Sequence, residues 1–228
     1  MPMVLVLTTD IHDSLAGTFT SVSKTLSKAG YTIAAIDVTC HGRDVRHAET
    51  AGLDCWAYRV KTEKKDVFEN MVANASSVIS DIGRKKIAQT SSVVGLGVSR
   101  GGYAALRIAA ADSRVNRLVL MAPVTKLARL DEFKGILVSD SIYGFEKAAH
   151  VFSSAHIFMQ IGNADTRVGT GEALAFGEKV VAAAGDRVDD FTMLITPLHG
   201  HGTAMHDEAA KWVMKSYAAE KGIVTRAP

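Results

Sequence analysis

Val93-Val-Gly-Leu-Gly-Val-Ser-Arg-Gly-Gly-Tyr-Ala-Ala-Leu106 passes from an apolar, β-branched run through a glycine-rich corner into a helix-forming stretch. Two kinds of machinery share that outline. One is a turn that cradles the phosphates of a dinucleotide; the other holds up a serine as a nucleophile. Gly95, Gly97 and Gly101 give a GxGxxxG variant in the right local context for the first. A dinucleotide unit also needs an acidic residue ending the following strand, to hold the ribose hydroxyls. The following strand ends Leu120-Met-Ala-Pro123, without a carboxylate. Gly97-Val-Ser99-Arg-Gly101 is a complete G-x-S-x-G, in which glycines two residues either side of the serine remove the clashes of a strained strand-to-helix turn. The serine reading is the stronger.

That reading requires two partners downstream, in order. A hydroxyl needs a base to take its proton, and an imidazole base needs a carboxylate to set its tautomer and stabilise its cation. Ile161-Gly-Asn-Ala-Asp165-Thr-Arg-Val168 puts an aspartate just past an apolar strand, and Leu198-His-Gly-His-Gly202 puts histidines just past the next one. Ser99, Asp165 and His201 are therefore the expected catalytic residues, each at the carboxyl end of a different strand. His201 is preferred to His199 because glycines flank it. Asp140 and Glu146 compete with Asp165 but follow no strand, so they are expected to be solvated charges.

Around this corner, six apolar runs read as buried strands: Met3–Leu7, Tyr31–Asp37, Ser92–Leu96, Arg117–Met121, His156–Ile161 and Phe191–Thr196. Helical stretches near 17–29, 64–87, 101–111, 170–184 and 204–220 separate them. Strict alternation predicts an α/β fold with a parallel sheet covered on both faces. With 228 residues, no internal repeat and no low-complexity linker, residues 1–228 are expected to form one domain. Two connections are long, Cys40–Lys61 and Val124–Ser154. The second carries enough apolar residues for one or two short helices capping the site, and is too short to enclose a long acyl chain. Acyl groups of about two to six carbons are expected, by analogy with pockets of such a size.

At these residues the chain resembles the α/β-hydrolase family, over nearly its whole length. "DVTCHGRD" at Asp37–Asp44 is similar to the loop after the family's fourth strand. "IGNADTRV" and "HGHG" look like the acid and histidine loops of the dienelactone-hydrolase and prolyl-oligopeptidase-like branch. The resemblance implies an α/β-hydrolase fold with strand order 4-3-5-6-7-8 in the family's counting, lacking the first two strands, so that Tyr31–Asp37 lies at the sheet edge. It implies a serine esterase acting on a small-molecule ester without a cofactor or metal. Thioesterase, amidase and peptidase activities share the same residues. Thr8-Thr9-Asp10 stands where the family has an "HG" turn after the first of these strands. The backbone N–H of Arg100 is one expected oxyanion donor and that of Thr9 or Asp10 the other, Asp10 only with its carboxylate turned away. A broken oxyanion hole would leave a ligand-binding scaffold without turnover.

The remaining features narrow the partners. A net charge of +2, with basic residues scattered among acidic ones, gives no footprint for nucleic acid. The basic runs at Lys61–Lys65 and Arg84–Lys86 read as helix ends. No stretch approaches the roughly 18 uncharged apolar residues of a membrane span, and the N-terminus lacks the basic start of a signal peptide, so a cytoplasmic protein is expected. Cys40 and Cys55, the only cysteines, are expected to remain free thiols in a reducing compartment. His199, His201 and His206 beside Asp207 could be imagined as a zinc site, but no further ligand cluster has recognisable spacing. His12 could line the pocket or be a surface residue. The side chain of Arg100 could bind an acidic group of the substrate or tie down a neighbouring loop. Trp56 and Trp212 read as packing residues.

Overall fold

Successive residues of a strand face opposite sides, so a strand apolar at every position must be covered on both. In a computed structural model, which describes residues 1–145, 149–185 and 191–220, this is how the first strand is used. β1 (Pro2–Leu7) sends Met3, Leu5 and Leu7 into one core cluster and Val4 and Val6 into another, on the opposite face. Five further strands complete the sheet: β2 (Thr32–Ala35), β3 (Gln89–Val98), β4 (Arg117–Met121), β5 (His156–Ala164) and β6 (Phe191–His199). All neighbours are parallel, in the order β2-β1-β3-β4-β5-β6, with β2 at an edge. This is the order that the α/β-hydrolase resemblance implies.

The chain thus starts inside the sheet, steps outward to β2, then returns past β1 to β3. Strand order reverses between β1 and β3, and loops leaving the carboxyl ends of two such strands part to opposite faces. Crevices for ligands form at that kind of switch point. The loop after β1 begins at Thr8 and the corner after β3 is Ser99, so the topology brings the two together.

Helices cover both faces. On one, α2 (Ser21–Lys28) buries Val22 and Leu26, and α9 (His206–Glu220) buries Ala209, Ala210, Val213 and Tyr217, positions three or four apart that share a stripe. Trp212 packs there, its ring 5.9 Å from that of Phe158. On the other face lie α3 (Leu53–Thr62), α4 (Glu69–Arg84), α5 (Arg100–Ala111) and α8 (Thr170–Ala184). Trp56 of α3 is fully buried among Phe68 and Tyr103, and its Nε1 donates to the Thr39 carbonyl at 2.6 Å.

Three departures from the sequence reading have physical causes. α1 (Ile11–Ala16) occupies part of the first connection, begun by Asp10, whose carboxylate accepts the Asp13 N–H at 2.9 Å. α3 falls inside Cys40–Lys61, where no helix was expected. And the two cysteines are bonded to each other. Cys40, at a left-handed φ of 62°, turns the chain after β2 toward the first turn of α3, which brings its Cα within 6.0 Å of that of Cys55. Proximity created by this turn, rather than cysteine number, overturns the expectation of free thiols.

The 124–154 segment contributes α6 (Asp140–Tyr143), α7 (Ala149–Phe152) and two single 3-10 turns. Leu127, Leu130, Phe133, Tyr143, Phe145 and Phe152 are buried in the main core, so most of its apolar content packs on the body of the protein. Asp140 is exposed on α6, and Glu146 lies outside the described residues.

Candidate active site

The corner at Ser99 is a strained turn held by contacts on every side. Ser99 has φ 54° and ψ −116°, a region that side-chain-bearing residues avoid, at a cost of about 1–3 kcal/mol. Its N–H donates to the Met121 carbonyl at 2.9 Å, and its carbonyl accepts from Val124 N at 3.0 Å and Gly102 N at 3.0 Å. The glycines are there for space. A Cβ on Gly97 would sit 2.3 Å from the Gly101 carbonyl oxygen, and one on Gly101 only 1.8 Å from that of Leu7. The start of α5 is therefore pressed against the end of β1.

Asp165 is held as firmly. Its side chain is fully buried; Oδ1 accepts the N–H groups of Arg167 at 2.9 Å and Val168 at 3.1 Å. Its own N–H donates to Thr170 Oγ1, and that hydroxyl donates to the Gly162 carbonyl at 2.6 Å, closing the loop on the strand it leaves. The second oxygen, Oδ2, lies 2.8 Å from His201 Nδ1. His201 Nε2 lies 2.9 Å from Ser99 Oγ. A carboxylate only accepts, so Nδ1 carries the proton and Nε2 presents its lone pair to the serine hydroxyl. Three residues from three loops form one hydrogen-bonded chain.

Other expected residues take separate places. The carboxylate of Asp10 caps α1 by accepting the Asp13 N–H. Thr9 is tied down through its carbonyl, which accepts Val38 N at 2.8 Å, and its hydroxyl, which donates to Asp13 at 2.7 Å. Among the described residues the N–H groups of Thr9, Asp10 and Arg100 donate to no other group, whereas those of Thr8 and Ile11 are taken by Ser14 Oγ and Asp37. His199 ends β6, exposed and outside the hydrogen-bonded chain, and His206 contacts Thr203. These histidines form no ligand group with His201 among the described residues; the one exposed cluster that could hold an ion is Asp10, His12 and Asp13. His12 is 86% exposed, a surface residue.

Sequence reasoning missed two side chains that shape the site. His41, in the "DVTCHGRD" loop, is buried; its Nδ1 faces the Thr39 carbonyl at 2.9 Å, so it donates there, and Nε2 accepts from Arg100 Nη1 at 3.0 Å. A guanidinium only donates, so Nε2 carries no proton and the ring is neutral; burial, with the Arg100 charge adding to it, lowers the pKa of His41. Gln160 is fully buried on β5, where Oε1 accepts Ala204 N at 3.0 Å and Nε2 donates to Thr196 Oγ1 at 3.0 Å. A polar residue in an apolar strand run was the available signal for it.

Resemblances to known proteins bear on the family and the fold. Residues 9–173 match the Hydrolase_4 family, described as serine aminopeptidase, S33. The chain belongs to that family. Among solved structures, this α/β-hydrolase is similar to an esterase of Pyrococcus furiosus, at 14% identity and TM-score 0.66, covering 96% of this chain and 82% of the other. It is similar to acetyl xylan esterase 1 from Thermoanaerobacterium sp., at 15% identity and TM-score 0.67, covering 95% of this chain and 75% of the other. It also matches Porphyromonas gingivalis dipeptidyl peptidase 4, at 18% identity and TM-score 0.65, with 96% of this chain aligned to only 30% of that one. No curated protein matches in sequence. At such identities the likeness carries the fold. The protein is a hydrolase of this family, and no helix among its described residues is long and apolar enough to cross a membrane.

Proposed function

We propose that the protein is a serine carboxylic-ester hydrolase working through an acyl-enzyme. The hydrogen-bonded chain Ser99–His201–Asp165 carries this reading, with links of 2.9 and 2.8 Å. Ser99 Oγ attacks the ester carbonyl carbon as its proton passes to His201 Nε2. The carbonyl oxygen becomes an oxyanion, received by the backbone N–H of Arg100 and that of Thr9 or Asp10. Collapse expels the alcohol with the proton from His201 and leaves the acyl group on Ser99. Water, deprotonated by the same nitrogen, attacks the acyl carbon; the acyl–Oγ bond breaks, the acid leaves, and His201 returns the proton to Ser99 Oγ. Asp165 keeps Nδ1 protonated and stabilises the imidazolium in both halves.

Short acyl groups fit the burial of the 124–154 segment, which leaves little apolar surface to line a tunnel. A second reading is supported by the family's description as serine aminopeptidases: the same residues would cleave an N-terminal peptide bond. Labelling with a fluorophosphonate, followed by turnover of p-nitrophenyl esters from acetate to decanoate and of aminoacyl amides, tests the proposal. Expected are label on Ser99, ester turnover above amide turnover, and a maximum at two to six carbons. A folded protein that leaves Ser99 unlabelled is a ligand-binding scaffold, and amide turnover above ester turnover makes it a peptidase.

A further inference from the structure

The residue after the proposed nucleophile is an arginine that makes no ion pair among the described residues. Arg100 is half-buried, and its side chain makes one hydrogen bond among the described residues, from Nη1 to the neutral ring of His41. Among the described residues no carboxylate lies within ion-pair distance of it. Glu132, whose charge reaches Arg100, is committed to Arg167, with Oε2 2.9 Å from Nη1 and Oε1 closer still to Nη2. Arg167 itself stands two residues beyond Asp165 and adds a like charge to the surroundings of Arg100. Burial and that neighbour lower the pKa of Arg100 without bringing a guanidinium near neutrality.

Position makes this cation relevant to chemistry. His41 and Gly52, which Arg100 Nη1 approaches, belong to the loop after β2, while Arg167 belongs to the loop after β5. The guanidinium therefore sits on the carboxyl rim of the sheet, the rim that carries Ser99. One of its five N–H groups is used by His41. The Nε and Nη2 edge, whose geometry suits a carboxylate bidentately, is left without a protein partner among the described residues. A neutral imidazole anchors the side chain while leaving its charge uncancelled; a carboxylate in the same place would have cancelled it.

We propose that Arg100 is the anion-recognising residue of the site, and that the preferred substrate is an ester bearing a carboxylate near the scissile bond. This rests on the hydrolase reading above. A half-buried arginine without a counter-ion gains from an incoming carboxylate a charge-assisted pair, which adds about tenfold to a hundredfold in binding. An uncharged substrate of the same shape gains none of it.

The test uses isosteric ester pairs differing only in charge. With the charge on the leaving group, these are 3- and 4-acetoxybenzoate against the corresponding acetoxybenzamides. With the charge on the acyl side, they are mono-p-nitrophenyl adipate against the adipamate. Taking the ratio of kcat/KM within each pair removes any loss shared by both members. The wild type is expected to favour the charged member of at least one pair by tenfold or more, largely through KM. R100Q should cut that ratio at least tenfold, and R100K, which keeps the charge without the fork, should recover part of it. If R100Q does not fold, R100K alone must still lower the ratio. No preference for charge in either pair, or a ratio unchanged in the variants, overturns the proposal; 4-acetoxyphenylphosphonate turned over faster than the carboxylates overturns its choice of anion. Calorimetric titration with 4-hydroxybenzoate and adipate separates this result from the hydrolase reading. Loss of binding in R100Q upholds Arg100 even if Ser99 resists the fluorophosphonate. Absence of binding to the wild type overturns it even if neutral esters turn over.

Discussion

Gln160 Oε1 accepts the backbone N–H of Ala204 at 3.0 Å, three residues beyond His201 and 44 residues along the chain. The amide is fully buried, and its other end donates to Thr196 Oγ1, whose hydroxyl in turn reaches the Ile161 carbonyl at 3.3 Å. Gln160 is thus a positioning residue for the histidine loop. Gln160→Leu removes the partner of the part-buried Ala204 N–H, which costs about 1 kcal/mol. The expected result is a fall in kcat of tenfold or more, with a matching fall in the rate of fluorophosphonate labelling. Gln160→Glu keeps the acceptor and should recover most of the lost kcat. Equal losses in the two variants would mean that the amide acts on stability alone.

Ser99 separates activity from strain. Ser99→Ala and Ser99→Gly both remove the proposed nucleophile and should lower ester turnover by about a thousandfold or more. Their stabilities should differ. At φ 54° alanine remains strained, whereas glycine adopts this backbone without penalty. Ser99→Gly should therefore melt above Ser99→Ala, by about 1 kcal/mol or more in unfolding free energy. Denaturant titration of the two inactive proteins measures the difference.

The Cys40–Cys55 bond closes a loop with a sequence separation of 15. In the loop-entropy account such a cross-link stabilises by about 3 kcal/mol. Reduction, or the double change Cys40→Ser with Cys55→Ser, should lower the melting temperature by roughly 6–12 °C for a chain of this size. A scan with and without dithiothreitol checks it.

Acid should act first on the loop that this bond secures. Arg59 is almost wholly buried and reaches Glu49 Oε2 and Asp44 Oδ2, each at 2.6 Å. The hydrogen bond from Arg59 holds the Glu49 carboxyl down to about 2, from an ordinary value of 4.5. A depressed carboxyl contributes stability that is complete above its unfolded value and lost as the pH falls through the folded one. Glu49→Gln should therefore be less stable than the wild type at pH 7, and the gap should narrow between about pH 4.5 and 2. Chemical denaturation at pH 7, 4 and 2.5 measures it; a gap independent of pH would sever Glu49 from this linkage.

The strands were legible because burial on both faces demands unbroken apolar runs, and Leu118–Met121 or Ile157–Met159 have no other use in a chain of this kind. The convergence of Ser99, Asp165 and His201 was legible because each follows such a run, and strand ends in a parallel sheet converge; their catalytic roles are proposed. α3 was not, although Leu53, Trp56, Ala57 and Val60 hold a helical stripe. Arg59 occupies a buried position beside them, and a charge there breaks the apolar pattern unless its partners, Asp44 and Glu49, are already known. The disulfide and the pairing of His41 with Arg100 were hidden for a common reason. Both depend on how the chain turns at Cys40, a left-handed residue with no glycine to announce it.

The pairing of β5 with β6 does not stop at the strands' apolar centres. After a register shift between Gly162 and Ala164 it resumes with Ala164 opposite His199. Ala164 is the residue before Asp165, and His199 is two before His201. Asp165 and His201, the proposed acid and base, therefore hang from the same final rung of one ladder, while Ser99, the proposed nucleophile, follows β3, two strands away, with β4 between. Any slackening of the sheet is felt first across the gap between Ser99 and His201 and last between His201 and Asp165. On this geometry the proposed attacking group would lose alignment before the proposed proton relay came apart.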